Sequence, residues 1–268
     1  MLKLGDYVLN IREFTSFTEI FLSEAAKYLI LLLFAVLSIR LWRRLPKLSG
    51  GNRRSNLLLA CLSTVIACAI GYFSLCHSLG RLYLYYGTRA FNSGYLISAF
   101  SLFEKSSEYW KSADALGGEG VCLLLSGKAD EGLKLIAEAK NLRKGRSNSF
   151  EEFYEGLYYF FQEQSDKAIP LLEQASADPV YTWTVTKFFA VIYVDDNQPK
   201  DAERLMQPFA QVEVKECDHA YIAASLDWFE GKKADAKMLV DKFDSDSLPP
   251  FWKSRFDKLR AKIQNQNP

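Results

Sequence analysis

Small residues recur along this chain at nearly constant spacing, and that recurrence restricts its fold more than any other feature. Ala99, Gly132, Ala168, Ala202 and Ala236 are separated by 33, 36, 34 and 34 residues. Each belongs to a set. Counted from Gly80, the first unit has Gly87 at position eight, Gly94 at fifteen, Ala99 at twenty and Phe103 at twenty-four. The same positions hold Gly120, Gly127, Gly132 and Ile136 in the second unit, and Gly156, Glu163, Ala168 and Leu172 in the third. The fourth has Ala190, Asn197, Ala202 and Met206, the fifth Ala224, Gly231, Ala236 and Val240. A period of about 34 residues predicts an all-α chain of helix pairs repeated in tandem. The small eighth residue lets the two helices of a pair approach. Gly or Asn at the fifteenth suits the left-handed turn that ends the first helix. The bulky twenty-fourth residue fills the space between neighbours. One pair cannot bury its own apolar face, so the units must stack.

With this spacing, and a small twenty-seventh residue in units one to three (Ser106, Ala139, Ala175), residues 80–246 resemble the tetratricopeptide repeat family. The match is degenerate. The usual Trp-Leu-Gly opening is replaced by Tyr83, Tyr86 and Gly87, the terminal proline occurs once, displaced by one residue, as Pro179, and Phe209 and Phe243 stand where a small residue is usual. An irregular helical bundle also accommodates the pattern. The resemblance implies a right-handed α-solenoid whose first helices line a groove for a protein partner. Carried over position by position, that groove comprises Leu84, Thr88, Phe91, Val121, Leu124, Phe150, Phe153, Leu157 and Phe160, followed by Lys187, Val191, Tyr221, Ser225 and Trp228. Its apolar, aromatic character suits an amphipathic helix or an extended segment. The same rings would serve as packing between units, and the sequence leaves both readings open. Leu84 and Thr88 occupy positions where a carboxylate clamp needs Lys and Asn, which disfavours a receptor for chaperone tails.

Ahead of the repeats lies an apolar region. Residues 57–79 are 23 in succession without Lys, Arg, Asp or Glu, and a membrane span needs roughly 20 apolar residues. Residues 21–42, centred on YLILLLFAVLSI, are a second candidate, so 21–79 reads as a two-span helical hairpin. The connector 43–56 carries Arg43, Arg44, Lys47, Arg53 and Arg54 and no acidic residue, and Pro46 and Gly50–Gly51 are expected to break the helix there. Short basic loops stay cytoplasmic. Both termini and the repeats are then expected outside the cytoplasm, which in a Gram-negative inner membrane means the periplasm. A cytosolic placement is the alternative, favoured by unpaired cysteines and by Arg81 and Arg89. Residues 1–20 lack a signal-peptide pattern; Val8, Ile11, Phe14 and Phe17 mark an amphipathic segment, lying on the membrane or packed on the protein. Only Gly80 separates the second span from the first repeat helix, so a rigid junction is expected.

Residues 247–268 read as a capping helix and tail, with Trp252, Phe256, Leu259 and Ile263 on one face. Lys253, Arg255, Lys258, Arg260 and Lys262 form a basic face, read as solvated. The formal net charge of +1 argues against a nucleic-acid binder. It conceals a split: residues 1–80 carry nine Lys/Arg against four Asp/Glu, and the remainder 24 against 28. Five cysteines without CxxC spacing and two histidines, His77 and His219, give no metal-ligand pattern. Asp195, Asp196 and Asp201 read as capping and solvation in a repeat turn. No phosphate loop, HExxH or GxSxG occurs, so neither catalytic residue nor cofactor nor metal is expected. The expected function is a membrane-anchored adaptor that binds another protein, or a fixed subunit of a transport or secretion apparatus.

Overall fold

The computed structural model describes residues 17–45, 51–146 and 148–265, and the expected N-terminal segment 1–20 lies outside these but for its last four residues. Among the described residues there are α-helices and short 3-10 turns and no strands. The chain divides into two compact units, one within residues 12–119 and one that takes in residues 120–268.

In the first unit α1 (Phe17–Arg44) runs antiparallel to α2 (Gly51–Asn92), and α3 (Leu96–Tyr109) packs on the C-terminal part of α2. Small and polar side chains meet between α1 and α2. Ser38 Oγ donates to Ser63 Oγ at 3.0 Å, Trp42 Nε1 to Thr64 Oγ1 at 3.0 Å, and Tyr28 and Ser78 hydroxyls lie 3.2 Å apart. Ala60, Ala67 and Ser74 are also buried, while Leu29, Leu33, Leu58, Val65 and Phe73 point outward and are exposed. This is the reverse of the sorting that water imposes, which puts large apolar side chains inside. Among the described residues one helix, Arg54–Asn92, is long and apolar enough to cross a membrane.

The connector is shorter than its composition suggested. α1 continues to Arg44 and α2 has begun by Gly51, so residues 51–56 are helical. A glycine is tolerated at the first turn of a helix, where its N–H has no intrahelical acceptor to lose. Gly80 lies within the 42 residues of α2, so the helix runs through it without interruption. Its carbonyl accepts from Ser106 Oγ at 2.7 Å, and a Cβ there would stand 2.6 Å from Trp110 Cβ. Close approach of α3, rather than a turn, accounts for this glycine.

The second unit begins within α4 (Ala113–Leu125) and continues through α5 (Ala129–Leu142), α6 (Ser149–Phe161), α7 (Ser165–Ala175), α8 (Pro179–Asp195), α9 (Pro199–Met206), α10 (Cys217–Phe229), α11 (Lys233–Asp241) and α12 (Pro250–Asn265). Helices α6 and α7, α8 and α9, and α10 and α11 pack as successive pairs. Local chemistry sets their starts. Asn148 accepts from Phe150 N at 3.0 Å, and Asp178 from Val180 N at 3.1 Å with Pro179 at the first turn.

The sequence period reappears in local geometry. The second helix of each unit, α3, α5, α7, α9 or α11, starts at the seventeenth position: Leu96, Ala129, Ser165, Pro199 and Lys233. The fifteenth residue has positive φ in all five: Gly94 79°, Gly127 89°, Glu163 58°, Asn197 57° and Gly231 81°. Residues at positions twenty and twenty-four are buried throughout. In three units the eighth residue faces the twenty-fourth. A Cβ at Gly87 would lie 2.8 Å from the Phe103 ring, at Gly120 2.9 Å from Ile136, and at Gly156 2.9 Å from Leu172.

Gly132 is hemmed in by backbone. Its Cβ would stand 2.6 Å from the Gly120 carbonyl oxygen and 2.9 Å from Leu124 N, both backbone atoms that cannot turn aside. Gly132→Ala is expected to destabilise the second unit by about 1–3 kcal/mol. A urea midpoint unchanged from the parent protein would contradict this packing.

Candidate functional site

The residues assigned to an open groove are mostly interior. Leu84, Thr88, Phe91, Val121, Leu124, Phe150, Phe153, Leu157, Phe160, Lys187, Val191, Tyr221 and Ser225 are all buried; Trp228 is half-buried. Thr88 spends its hydroxyl on the Leu84 carbonyl at 2.9 Å, and Phe153 stacks on Tyr181 with centroids 4.6 Å apart. As a set of accessible contacts the groove is therefore corrected. The helix face that would line it and the face that packs on the next helix share one apolar periodicity, and packing takes most of the rings.

Part of that face is covered by the chain itself. α12 lies against α10 and α11 and also reaches α6. Phe251 meets Phe160 and Phe161 at centroid distances of 5.2 and 4.9 Å. Trp252 and Phe256 approach Tyr221 at 6.1 and 5.9 Å. Phe251, Trp252, Phe256 and Leu259 are buried. The helix thus does more than cover the last pair.

Two arginines on the supposedly solvated face of α12 are structural. Arg255 Nε donates to Asp195 Oδ2 at 2.8 Å, and its Nη1 to Glu163 Oε1 at 3.3 Å. Its guanidinium sits 3.7 Å above the Phe251 ring centroid. Arg260 donates to the carbonyls of Val240 and Phe243. Asp195 also accepts from Tyr221 Oη at 2.6 Å, so one carboxylate links α8, α10 and α12. Burial and then the Asp195 carboxylate push the Tyr221 phenol up, which keeps it a donor. Sequence reasoning passed over this tie. Its available signal was an arginine next to Phe256 and one turn from Phe251 and Trp252, within the apolar stripe.

A second polar cluster joins α8 to α10. Lys187, 2% exposed, places Nζ 2.8 Å from Asp218 Oδ2 and also pairs with Glu216. The Lys187 ammonium lies 5.2 Å from the Trp183 ring centroid, and that ring meets His219 edge-on at 5.5 Å. Burial pushes the Cys217 thiol up to about 12, so it is no nucleophile at neutral pH. Burial, followed by Lys187, holds the His219 imidazole below its usual value. Unfolded His219 then binds a proton at higher pH than folded His219 does. Its contribution to stability is complete above about pH 6.5, the unfolded value, and is lost as pH falls below it. The parent protein is expected to lose urea resistance between pH 7.5 and 5.5, and His219→Phe to flatten that slope; an equal slope in the variant would exclude His219 as its source.

In the first unit Lys27 Nζ lies 2.8 Å from His77 Nδ1, and the imidazole packs edge-on against Trp110 at 4.8 Å. His77 acts there as an anchored neighbour of α1 and α3. Among the described residues no group of three or more His, Cys, Asp or Glu is placed to hold a metal. Two cavities in the second unit adjoin these polar clusters. One, about 330 Å³, is lined by Met206, Phe209, Val212, His219, Ile222 and their neighbours. The other, about 420 Å³, lies between α8, α10 and α12. No protein-family description matches this sequence, and neither curated proteins nor solved structures show a significant match.

Proposed function

We propose that the protein is a membrane-anchored, non-catalytic adaptor. In this reading α1 and α2 form a two-span hairpin, and the helix pairs from residue 80 onward form a short tetratricopeptide-like solenoid of five units. The carrying observation is the continuity of α2, whose 42 residues lead from the apolar segment into the first repeat without a break. At 1.5 Å per residue it is roughly 63 Å long, about twice the hydrocarbon thickness of a bilayer. The inverted sorting of α1 and α2 supports a lipid environment, since helices associate in lipid through small and hydrogen-bonding side chains. The shared left-handed turn at each fifteenth residue supports the repeat assignment.

The partner is a protein, membrane-associated by virtue of where the adaptor sits, presenting an amphipathic helix or extended segment. α12 supports the helical choice: it is an amphipathic helix already seated across α6 and α10 through Phe251, Trp252 and Phe256. The basic connector supports an orientation with both termini outside the cytoplasm. A fixed subunit of a transport or secretion assembly remains the second reading, favoured by the exposed Tyr95 and Ile97 at the turn between α2 and α3. Purification from native membranes in mild detergent tests the proposal. A partner that dissociates in salt supports the adaptor, and a stoichiometric salt-resistant complex supports the fixed subunit. Recovery of the chain alone, from membranes crosslinked before extraction, contradicts both.

A further inference from the structure

We infer that the cavity between α8, α10 and α12 binds a small organic oxyanion, a carboxylate or phosphate ester with an apolar body. The inference is independent of membrane anchoring, since every lining residue falls within positions 194–262. The cavity holds about 420 Å³, within the range of about 300–1,000 Å³ typical of small-molecule sites.

Its charge is unbalanced. Arg255, Lys258 and Lys262 line it against the single carboxylate of Asp195. Asp195 is already occupied by the Tyr221 hydroxyl at 2.6 Å and by Arg255 Nε at 2.8 Å. Arg255 is further held by Glu163, which lies outside the lining. Lys258 and Lys262 have no carboxylate partner among the described residues. They are four residues apart on α12, which places both on one face of the helix. Lys262 lies 5.2 Å from the Trp228 ring centroid.

Trp228 contributes to the wall, with its Nε1 turned into the protein rather than onto the cavity surface. Trp228 Nε1 is buried and has no acceptor. An oxyanion supplies the negative charge that Lys258 and Lys262 lack. Val194, Phe229 and Leu259 complete the wall and suit an apolar body. A cation would meet two unpaired ammonium groups, and a neutral molecule would bring them no counter-charge.

The full-length protein in detergent, labelled with ¹⁵N at the tryptophan indoles, provides the test. Trp228→Phe assigns the Trp228 resonance. The probes are phenylacetate, phenyl phosphate and the neutral isostere phenylacetamide. A saturable shift of the Trp228 signal is expected with at least one of the two anions and not with the amide, and the tighter anion fixes the ligand class. Lys258 and Lys262 are exposed, so Lys258→Gln with Lys262→Gln is expected to retain the fold while weakening the anion about tenfold or more, because charge-assisted contacts are lost. No saturable shift with either anion, an equal shift with the amide, or undiminished affinity in the double variant overturns the assignment.

Discussion

Replacing Phe153 by alanine is expected to lower the unfolding free energy of the second unit by about 3–5 kcal/mol. The side chain is fully buried. It stacks on Tyr181 at 4.6 Å and meets Tyr154 edge-on at 5.1 Å. Neighbouring rings anchored on two helices cannot collapse into the vacated space, so a cavity remains. Most domains have only about 5–15 kcal/mol in hand, and the variant should unfold at much lower urea. A residue in an open groove would behave differently, losing partner binding with stability intact. Urea unfolding followed by circular dichroism separates the two, and a midpoint equal to that of the parent protein would return Phe153 to the surface.

Lys187→Met is expected to be of similar size, about 3–5 kcal/mol, because it strands a buried carboxylate. Asp218 is 1% exposed, and the Lys187 ammonium at 2.8 Å is its counter-charge. Glu216 also pairs with Lys187, but its side chain is 65% exposed and water can take over. The penalty therefore resides in Asp218. A second substitution, Asp218→Leu in the Lys187→Met background, removes the stranded charge and should restore a large part of the loss. Additive losses in the double variant would show that the two groups are not energetically coupled.

The contrast between Phe153 and Gly94 shows how far the sequence could be read. Turn positions were legible because a left-handed residue has a local cause, and Gly94, Gly127 and Gly231 declare it by lacking a Cβ. Glu163 at the same position, with φ 58°, was legible only through the period. The helices followed from that period, and the all-α class with them. The use of each apolar face was not legible. Phe150, Phe153 and Phe160 show the same spacing whether they face a partner, the next helix or α12, and only the three-dimensional arrangement distinguishes these. Long-range polar ties were equally hidden. Asp195 and Arg255 are 60 residues apart, and nothing local to either announces the other. The glycines at 51 and 80 have different causes: Gly51 opens α2 after the interruption that Pro46 and Gly50–Gly51 predict, and Gly80 admits the close crossing of α3, which no local signal announces.

The central claim is that the apolar helices form a membrane hairpin with the repeats held on the side opposite the basic connector. Its most direct measurement is a three-point topology map, with compartment-specific reporters at the N-terminus, within residues 46–50, and after Pro268. The account predicts the two termini outside the cytoplasm and the connector inside. Three signals from one side would contradict any crossing, and an N-terminus on the same side as the connector would reduce the hairpin to the single span of α2.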